Sequence, residues 1–215
     1  MITIALSIAA AVSAVLAIAA DWEERRHKTF FVLKPLTTLL IIGIAASISI
    51  ETPYAKWVLL ALALSLCGDV FLMFGDGARS DDRAFIAGLG SFLLAHLAFV
   101  CAFLQGVKSP ELPSWLAALV FYAAGLLAVL LPRAGALKLP VLVYCLVLAA
   151  MVFAAAARHA SVAEPYTLRA LIGALLFMLS DSLLGCRRFI GRYPFAQALF
   201  LSTYWGAIGL IASSV

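Results

Sequence analysis

Charged side chains are scarce in this chain. They make up 12% of its 215 residues, about half of the share in a typical soluble domain. Apolar residues account for 65%, and the mean hydropathy is +1.10. A water-soluble body of this size needs more polar surface, and disordered chains are far less apolar. The composition therefore excludes both classes, argues against a nucleic-acid-binding module, and predicts a polytopic α-helical membrane protein.

Metal-binding and disulfide patterns are also missing. No two of the four cysteines have CxxC spacing, and all lie in or beside apolar stretches. We interpret them as packing residues and predict neither a disulfide framework nor a metal site. Of the three histidines, only His96 falls inside an apolar run, so a three-histidine zinc site is not supported. The cysteines are Cys67, Cys101, Cys145 and Cys186; the other histidines, His27 and His159, are assigned to connections.

Eight apolar runs fill most of the chain. Each falls within the range of about 17–25 residues that a helix needs to cross a bilayer. The connections are too short for a soluble domain, so we expect function inside the bundle or at its rim. The sequence predicts an all-α bundle of eight transmembrane helices with short loops, forming a single domain over residues 1–215. The runs cover 2–20, 31–50, 55–74, 84–105, 114–131, 138–157, 168–186 and 195–213.

Basic residues are distributed unevenly between the connections. The odd-numbered connections and their edges hold eleven of the 15 lysines and arginines. Because basic residues concentrate on the cytoplasmic side, we expect these connections in the cytoplasm and both termini on the opposite side. We also expect a bacterial inner-membrane location. The basic residues have one of two roles. Either they only set the topology, or Arg79, Arg187 or Arg188 in addition binds lipid phosphate. The eleven are Arg25, Arg26, Lys28, Lys34, Arg79, Arg83, Arg133, Lys138, Arg187, Arg188 and Arg192.

Three ionisable residues fall inside the apolar runs at a similar depth. Asp69 and Asp181 each lie about five residues before the end of a run that leads to the predicted cytoplasmic side. Lys34 lies about four residues into a run that starts there. At 1.5 Å rise per residue, both carboxyls are roughly 8 Å inside the same boundary. A charge in hydrocarbon costs at least about 2.5–3.5 kcal/mol, so such groups normally face the bundle interior and have partners.

Two interpretations fit these three residues. In the first, Lys34 and one aspartate form a buried ion pair that only fixes helix packing. In the second, both carboxyls lie beside the one cation, which can neutralise a single carboxylate, so the other carboxyl tends to hold a proton. That arrangement supplies a general acid and an ionised partner. It requires the three helices to be neighbours.

Aromatic residues form a stripe on one face of the fourth span. His96 belongs to this face; it is either a core histidine bonded to a neighbour or a catalytic residue, and it lies roughly two turns deeper than the aspartates. The phenylalanines either pack the core or line a cavity for an alkyl chain, and Gly88 permits close approach of another helix. The stripe consists of Phe85, Gly88, Phe92, His96, Phe99 and Phe103, at steps of three and four.

Two tyrosines lie in the later spans, and each hydroxyl needs a partner when buried. Tyr144 lies in the middle of its span and is a candidate site-lining residue, whereas Tyr204 either joins a site or only packs. Ser180 precedes Asp181 as a small residue precedes Asp69, and the two segments are 112 residues and four spans apart. This similarity suggests two duplicated four-helix halves.

Several segments resemble the YhhN family, which includes the eukaryotic lysoplasmalogenases. The resemblance touches spans two, three, four, six, seven and eight. It departs from the family pattern at Trp205, where a second tyrosine is expected, and at Cys67. The segments are Lys34-Pro35, GDVFLMF at 68–74, FIAGLGSFLLAH at 85–96, Tyr144, Met151, GALLFMLSDSLL at 173–184 and Tyr204-Trp205.

The resemblance implies an eight-helix membrane hydrolase whose substrate is a lysophospholipid. It would cleave the vinyl ether of a lysoplasmalogen to a fatty aldehyde and glycerophosphoethanolamine or glycerophosphocholine. It also implies that Asp69 and Asp181 carry the chemistry, without metal or organic cofactor. Its partners would be membrane lipids and no nucleic acid; the oligomeric state is left open.

Two other functions compete with this hydrolase. Intramembrane aspartate and lysine also mark proton relays, which favours a proton- or ion-coupled transporter of a small solute or lipid. Against it, the spans lack Gly/Pro breaks in mid-membrane, and the aspartates lie away from the midplane. The third hypothesis is a structural or assembly protein, and this hypothesis does not explain the matched depth of the aspartates.

Overall fold

The computed structural model describes residues 1–21, 28–75, 82–108, 113–162, 164–191 and 193–215. These residues form eight α-helices and contain no strand. Two short 3-10 turns, Leu131–Arg133 and Gly135–Leu137, link the fifth helix to the sixth. The helices are α1 Ile2–Ala20, α2 Lys28–Ile48, α3 Pro53–Gly75, α4 Asp82–Phe103, α5 Leu116–Leu130, α6 Lys138–Ser161, α7 Thr167–Phe189 and α8 Ala196–Ala212.

The predicted all-α membrane bundle is confirmed. Within the described ranges, seven helices are long and apolar enough to cross a membrane. The remaining helix, α8, is apolar but has only 17 residues, which gives a length of about 26 Å. Apolar composition explains the helices, because a chain in lipid must satisfy its backbone hydrogen bonds internally.

Several helices continue beyond the predicted apolar runs. Helix α7 extends to Phe189 and so includes Arg187 and Arg188, whose charges interact favourably with the carbonyl end of a helix. Helix α6 reaches Ser161, which places His159 in a helix and corrects its assignment to a connection. Five residues used in the sequence analysis, His27, Arg25, Arg26, Arg79 and Arg192, lie outside the described residues.

One hydrophobic core contains buried residues from all eight helices, and the single domain over residues 1–215 stays a prediction. The closest pairings are α1 with α2, α3 with α4, and α7 with α8. In two duplicated four-helix halves, the α3–α4 pair would be equivalent to the α7–α8 pair. The duplication itself stays a prediction. Helix α5 lies at the periphery: Leu116 and Leu130 are its buried residues.

Gly88 shows why α3 and α4 lie so close together. A Cβ atom at this position would lie 2.8 Å from Cδ2 of Leu72 on α3. The missing side chain therefore permits the close approach expected from the sequence. Gly68, immediately before Asp69, has the same role toward α4, since a Cβ there would lie 2.6 Å from the Phe92 ring.

Candidate functional site

Asp69 lies on α3 in a closed polar cluster. Its side chain is fully buried. Thr38 and Tyr204 donate hydrogen bonds to Oδ2, at 2.7 and 2.8 Å. The Lys34 Nζ atom lies 3.3 Å from Oδ1. Two donors and a cation around one carboxyl favour the ionised aspartate.

Helices α2 and α8 supply the partners of this cluster. Lys34 and Thr38 are four residues apart on α2 and therefore share a face. Lys34 also donates to the backbone carbonyl of Asp69 at 3.4 Å, and Trp205 Nε1 donates to Thr38 Oγ1 at 3.3 Å. Thr38 was not predicted from the sequence, although its i+4 spacing from Lys34 was a usable signal.

Asp181 lies on α7 in a second cluster. Tyr144 on α6 donates to its Oδ2 at 2.6 Å, and His96 Nε2 on α4 lies 3.4 Å from the same oxygen. The His96 and Tyr144 rings meet edge to face at 5.2 Å. Asp181 is slightly exposed, at 7% of its side chain, whereas Asp69 is at 0%.

His96 contacts Asp181, although the apolar runs predict that it lies roughly two turns deeper than the aspartates. Because α7 ends at Phe189, Asp181 is eight residues from that end, which corresponds to about 12 Å rather than 8 Å. Transmembrane helices also tilt by about 20° on average, so depth counted along each helix does not compare directly.

Aromatic rings connect the two clusters. Phe177 contacts the Tyr204 ring at 5.5 Å and the His96 ring at 4.7 Å. Phe92 contacts both Tyr204, at 5.7 Å, and Phe177, at 6.2 Å. One of the two interpretations of the sequence places both carboxyls beside Lys34. The two separate clusters show that this interpretation is wrong.

Each carboxyl has its own set of partners. Among the described residues, the ion-pair partner of Lys34 is Asp69. Asp181 instead has a phenol, Tyr144, and an imidazole, His96. The physical reason is the rotation of each helix about its own axis, because residues at the same depth on two helices can face different neighbouring helices.

A small pocket with a cavity volume of about 50 Å³ reaches Asp181. It lies between α4, α5, α6 and α7, and its side-chain lining is mostly apolar. Asp69 is not among the lining residues, all of which lie in the described part of the chain. The lining residues are Phe85, Leu89, Leu126, Leu130, Val141, Tyr144, Cys145, Leu148, Asp181, Ser182, Leu184, Gly185 and Phe189.

The other expected site residues divide between the pocket and the packing around it. Phe85 lines the pocket. Gly88 faces Leu72 on α3. Ser180 donates to the Phe200 carbonyl on α8 at 3.3 Å, so it belongs to helix packing. The sequence analysis missed Ser182 and Gly185, although both are near Asp181 on α7.

The fold and site define a class: a helical membrane protein with two buried carboxyls, one of which reaches an apolar pocket. The model of the YhhN family matches residues 29–215. The chain belongs to the YhhN family, and the resemblance found in the sequence is confirmed. No solved structure gives a significant match.

Relatives with a named activity are similar over most of this chain. The lysoplasmalogenase of Mycobacterium bovis is 36% identical over 157 residues, which cover 70% of this chain and 55% of that protein. The human lysoplasmalogenase TMEM86B is 31% identical over 196 residues, covering 90% and 79%. The pig TMEM86B is 36% identical over 157 residues, covering 72% and 61%. The chain thus spans little more than half of the mycobacterial protein's length.

Proposed function

We propose that this protein is a membrane hydrolase that cleaves the vinyl ether bond of a lysoplasmalogen. The observation that carries the proposal is the placement of Asp181, with Tyr144 and His96, at an apolar pocket between membrane helices. The apolar lining of the pocket suits the vinyl ether end of an alkenyl chain, and the carboxyl suits acid catalysis at the bond that joins this chain to glycerol. The names of the relatives point to the same reaction.

The first step is proton transfer to carbon. A neutral Asp181 carboxyl donates its proton to the outer carbon of the vinyl ether, and the carbon that bears the ether oxygen becomes an oxocarbenium ion. Tyr144 and His96 both approach Oδ2, which leaves Oδ1 as the oxygen that carries the proton. The resulting carboxylate stabilises the cation beside it.

The second step consumes water and restores the acid. Water adds to the oxocarbenium carbon and gives one proton to the Asp181 carboxylate. The hemiacetal so formed then breaks its bond to the glycerol oxygen while its hydroxyl proton is transferred to that oxygen, which releases a fatty aldehyde and the glycerophospho alcohol. Tyr144 orients the Asp181 carboxyl in both steps, because its hydroxyl donates a hydrogen bond to Oδ2.

We assign Asp69 a different role from Asp181, although the family resemblance implies that both carry the chemistry. Asp69 is fully buried, is paired with Lys34, and lies outside the pocket lining. As an ionised group it neutralises Lys34 and orients Tyr204. Tyr204 in turn packs on Phe177, which contacts His96. Asp69 therefore acts as a positioning residue.

The proposed orientation places the site near the cytoplasmic leaflet. The odd connections face the cytoplasm, both termini lie on the opposite side, and the membrane is the bacterial inner membrane. The uneven distribution of basic residues between the connections supports the proposed orientation. The substrate class is a lysophospholipid whose head group stays at the interface while its chain enters the pocket.

The test is aldehyde release by the purified protein in lipid vesicles. We expect release from lysoplasmalogen and none from the analogue with a saturated alkyl ether, which cannot be protonated on carbon. Equal cleavage of both ethers would contradict the mechanism. No release, together with lipid-dependent proton uptake into the vesicles, would replace the hydrolase by the competing transporter.

A further inference from the structure

Arg188 contacts a residue that lines the pocket that reaches Asp181. It is the penultimate residue of α7, so it lies where a long basic side chain can reach the membrane interface. Its guanidinium carbon is 4.3 Å from the centre of the Phe85 ring. Phe85 and the next residue on α7, Phe189, both line the pocket.

The spacing on α7 places Arg188 and Asp181 on the same helix face. Arg188 is seven positions after Asp181. Seven positions fall about 20° short of two full helical turns and correspond to about 10.5 Å along the helix axis. The neighbouring Arg187 points elsewhere: its guanidinium is hydrogen-bonded to the Gln197 side chain. Of these two arginines, Arg188 is therefore the one associated with the pocket.

This distance matches the dimensions of a lysoplasmalogen. Seven bonds join the outer vinyl carbon to the phosphorus atom, and an extended chain advances about 1.2 Å per bond, or about 8 Å in all. The side chains of Arg188 and Asp181 can take up the small difference. Guanidinium is well suited to phosphate, because it presents several N–H donors in one plane.

We propose that Arg188 forms a phosphate-binding subsite that holds the head group of the lipid while its vinyl ether lies at Asp181. The subsite selects phosphate-bearing lysolipids over uncharged alkenylglycerols. This inference rests on the proposed function for the identity of the lipid, but its test does not require cleavage.

The chain offers a matched control at the other end of α7. Arg169 also lies over an aromatic ring, that of Tyr166, at 4.8 Å. It is exposed and donates to the Ser213 carbonyl. Neither Arg169 nor Tyr166 lines the pocket. If arginines on α7 serve only to set topology, Arg169→Gln and Arg188→Gln have equivalent effects on lipid binding.

The experiment measures binding of two non-cleavable probes to the detergent-solubilised full chain. The probes are 1-O-alkyl-glycerophosphocholine and 1-O-alkylglycerol with the same chain. We expect Arg188→Gln to weaken binding of the phospholipid about tenfold or more, the loss typical of a hydrogen bond to a charged group. Binding of the alkylglycerol stays unchanged, and Arg169→Gln alters neither.

Unchanged phospholipid binding by Arg188→Gln, or equal losses for both probes, would overturn the proposal. So would inorganic phosphate that binds through Arg188 without competing with the phospholipid. If Arg188→Gln does not fold, Arg188→Lys replaces it, and a loss confined to the phospholipid is again expected because an ammonium lacks the planar fork. Absence of aldehyde release by the wild type would reject the proposed function alone.

Discussion

The pairing of Lys34 with Asp69 predicts an unusual response to substitution. Asp69→Asn removes the charge opposite Lys34 and leaves its ammonium buried, at 3% exposure. The asparagine oxygen can still accept from Thr38 and Tyr204, so the main loss is the ion pair. Adding Lys34→Met removes the unpaired charge as well. The double variant is therefore expected to be more stable than the single variant.

The magnitude follows from the cost of an uncompensated charge in a membrane helix, about 2.5–3.5 kcal/mol. At roughly 2–4 °C per kcal/mol for a chain of this size, Asp69→Asn lowers the thermal midpoint by about 5–14 °C. The double variant Lys34→Met/Asp69→Asn recovers most of this loss, because replacing a buried ion pair as a whole is often neutral.

The assay combines thermal unfolding in detergent with aldehyde release in vesicles. We expect the double variant to retain activity within about tenfold of the wild type, since Asp69 does not touch the substrate in this account. Wild-type stability of Asp69→Asn would refute the buried ion pair. A double variant that is stable but releases no aldehyde would refute the positioning role and make Asp69 a catalytic residue.

Two further predictions concern single contacts. Tyr144→Phe removes the hydroxyl that donates to Asp181 at 2.6 Å; it should lower kcat about 10–150-fold, and an unchanged kcat would contradict the orienting role. Gly68→Ala should lower the free energy of unfolding by about 1–3 kcal/mol, because its Cβ would lie 2.6 Å from the Phe92 ring. Gly90→Ala, with no atom within 4 Å of the added Cβ, is the control, and equal losses would show that packing is not the cause.

The helices and one of the two polar clusters follow closely from the sequence. Apolar runs separated by short polar segments predict the eight helices, because a bilayer leaves few alternatives. A lysine and an aspartate at matched depth predict an ion pair, and the structure forms it between Lys34 and Asp69. Thr38 belongs to the same cluster and was not predicted, although its i+4 spacing from Lys34 on α2 was a usable signal.

The second cluster does not follow from the sequence, because depth alone does not determine which way a residue faces. Asp181 meets Tyr144 and His96 through the rotation and packing of three helices, α4, α6 and α7. Part of the pocket is lined by α5, which has two buried residues. The apolar run that forms α5 does not differ visibly from the other runs. These features arise from tertiary packing, which local sequence patterns do not encode.

Aldehyde release from lysoplasmalogen by Asp181→Asn tests directly whether Asp181 is the general acid. We expect a fall in rate of roughly 10²–10⁴-fold, the usual contribution of a general acid, in a protein that still binds the non-cleavable lipid. The control is Glu51→Gln, a change at an exposed acid in the connection between α2 and α3, which should keep the wild-type rate. A folded Asp181→Asn protein that releases aldehyde at the wild-type rate would contradict the account.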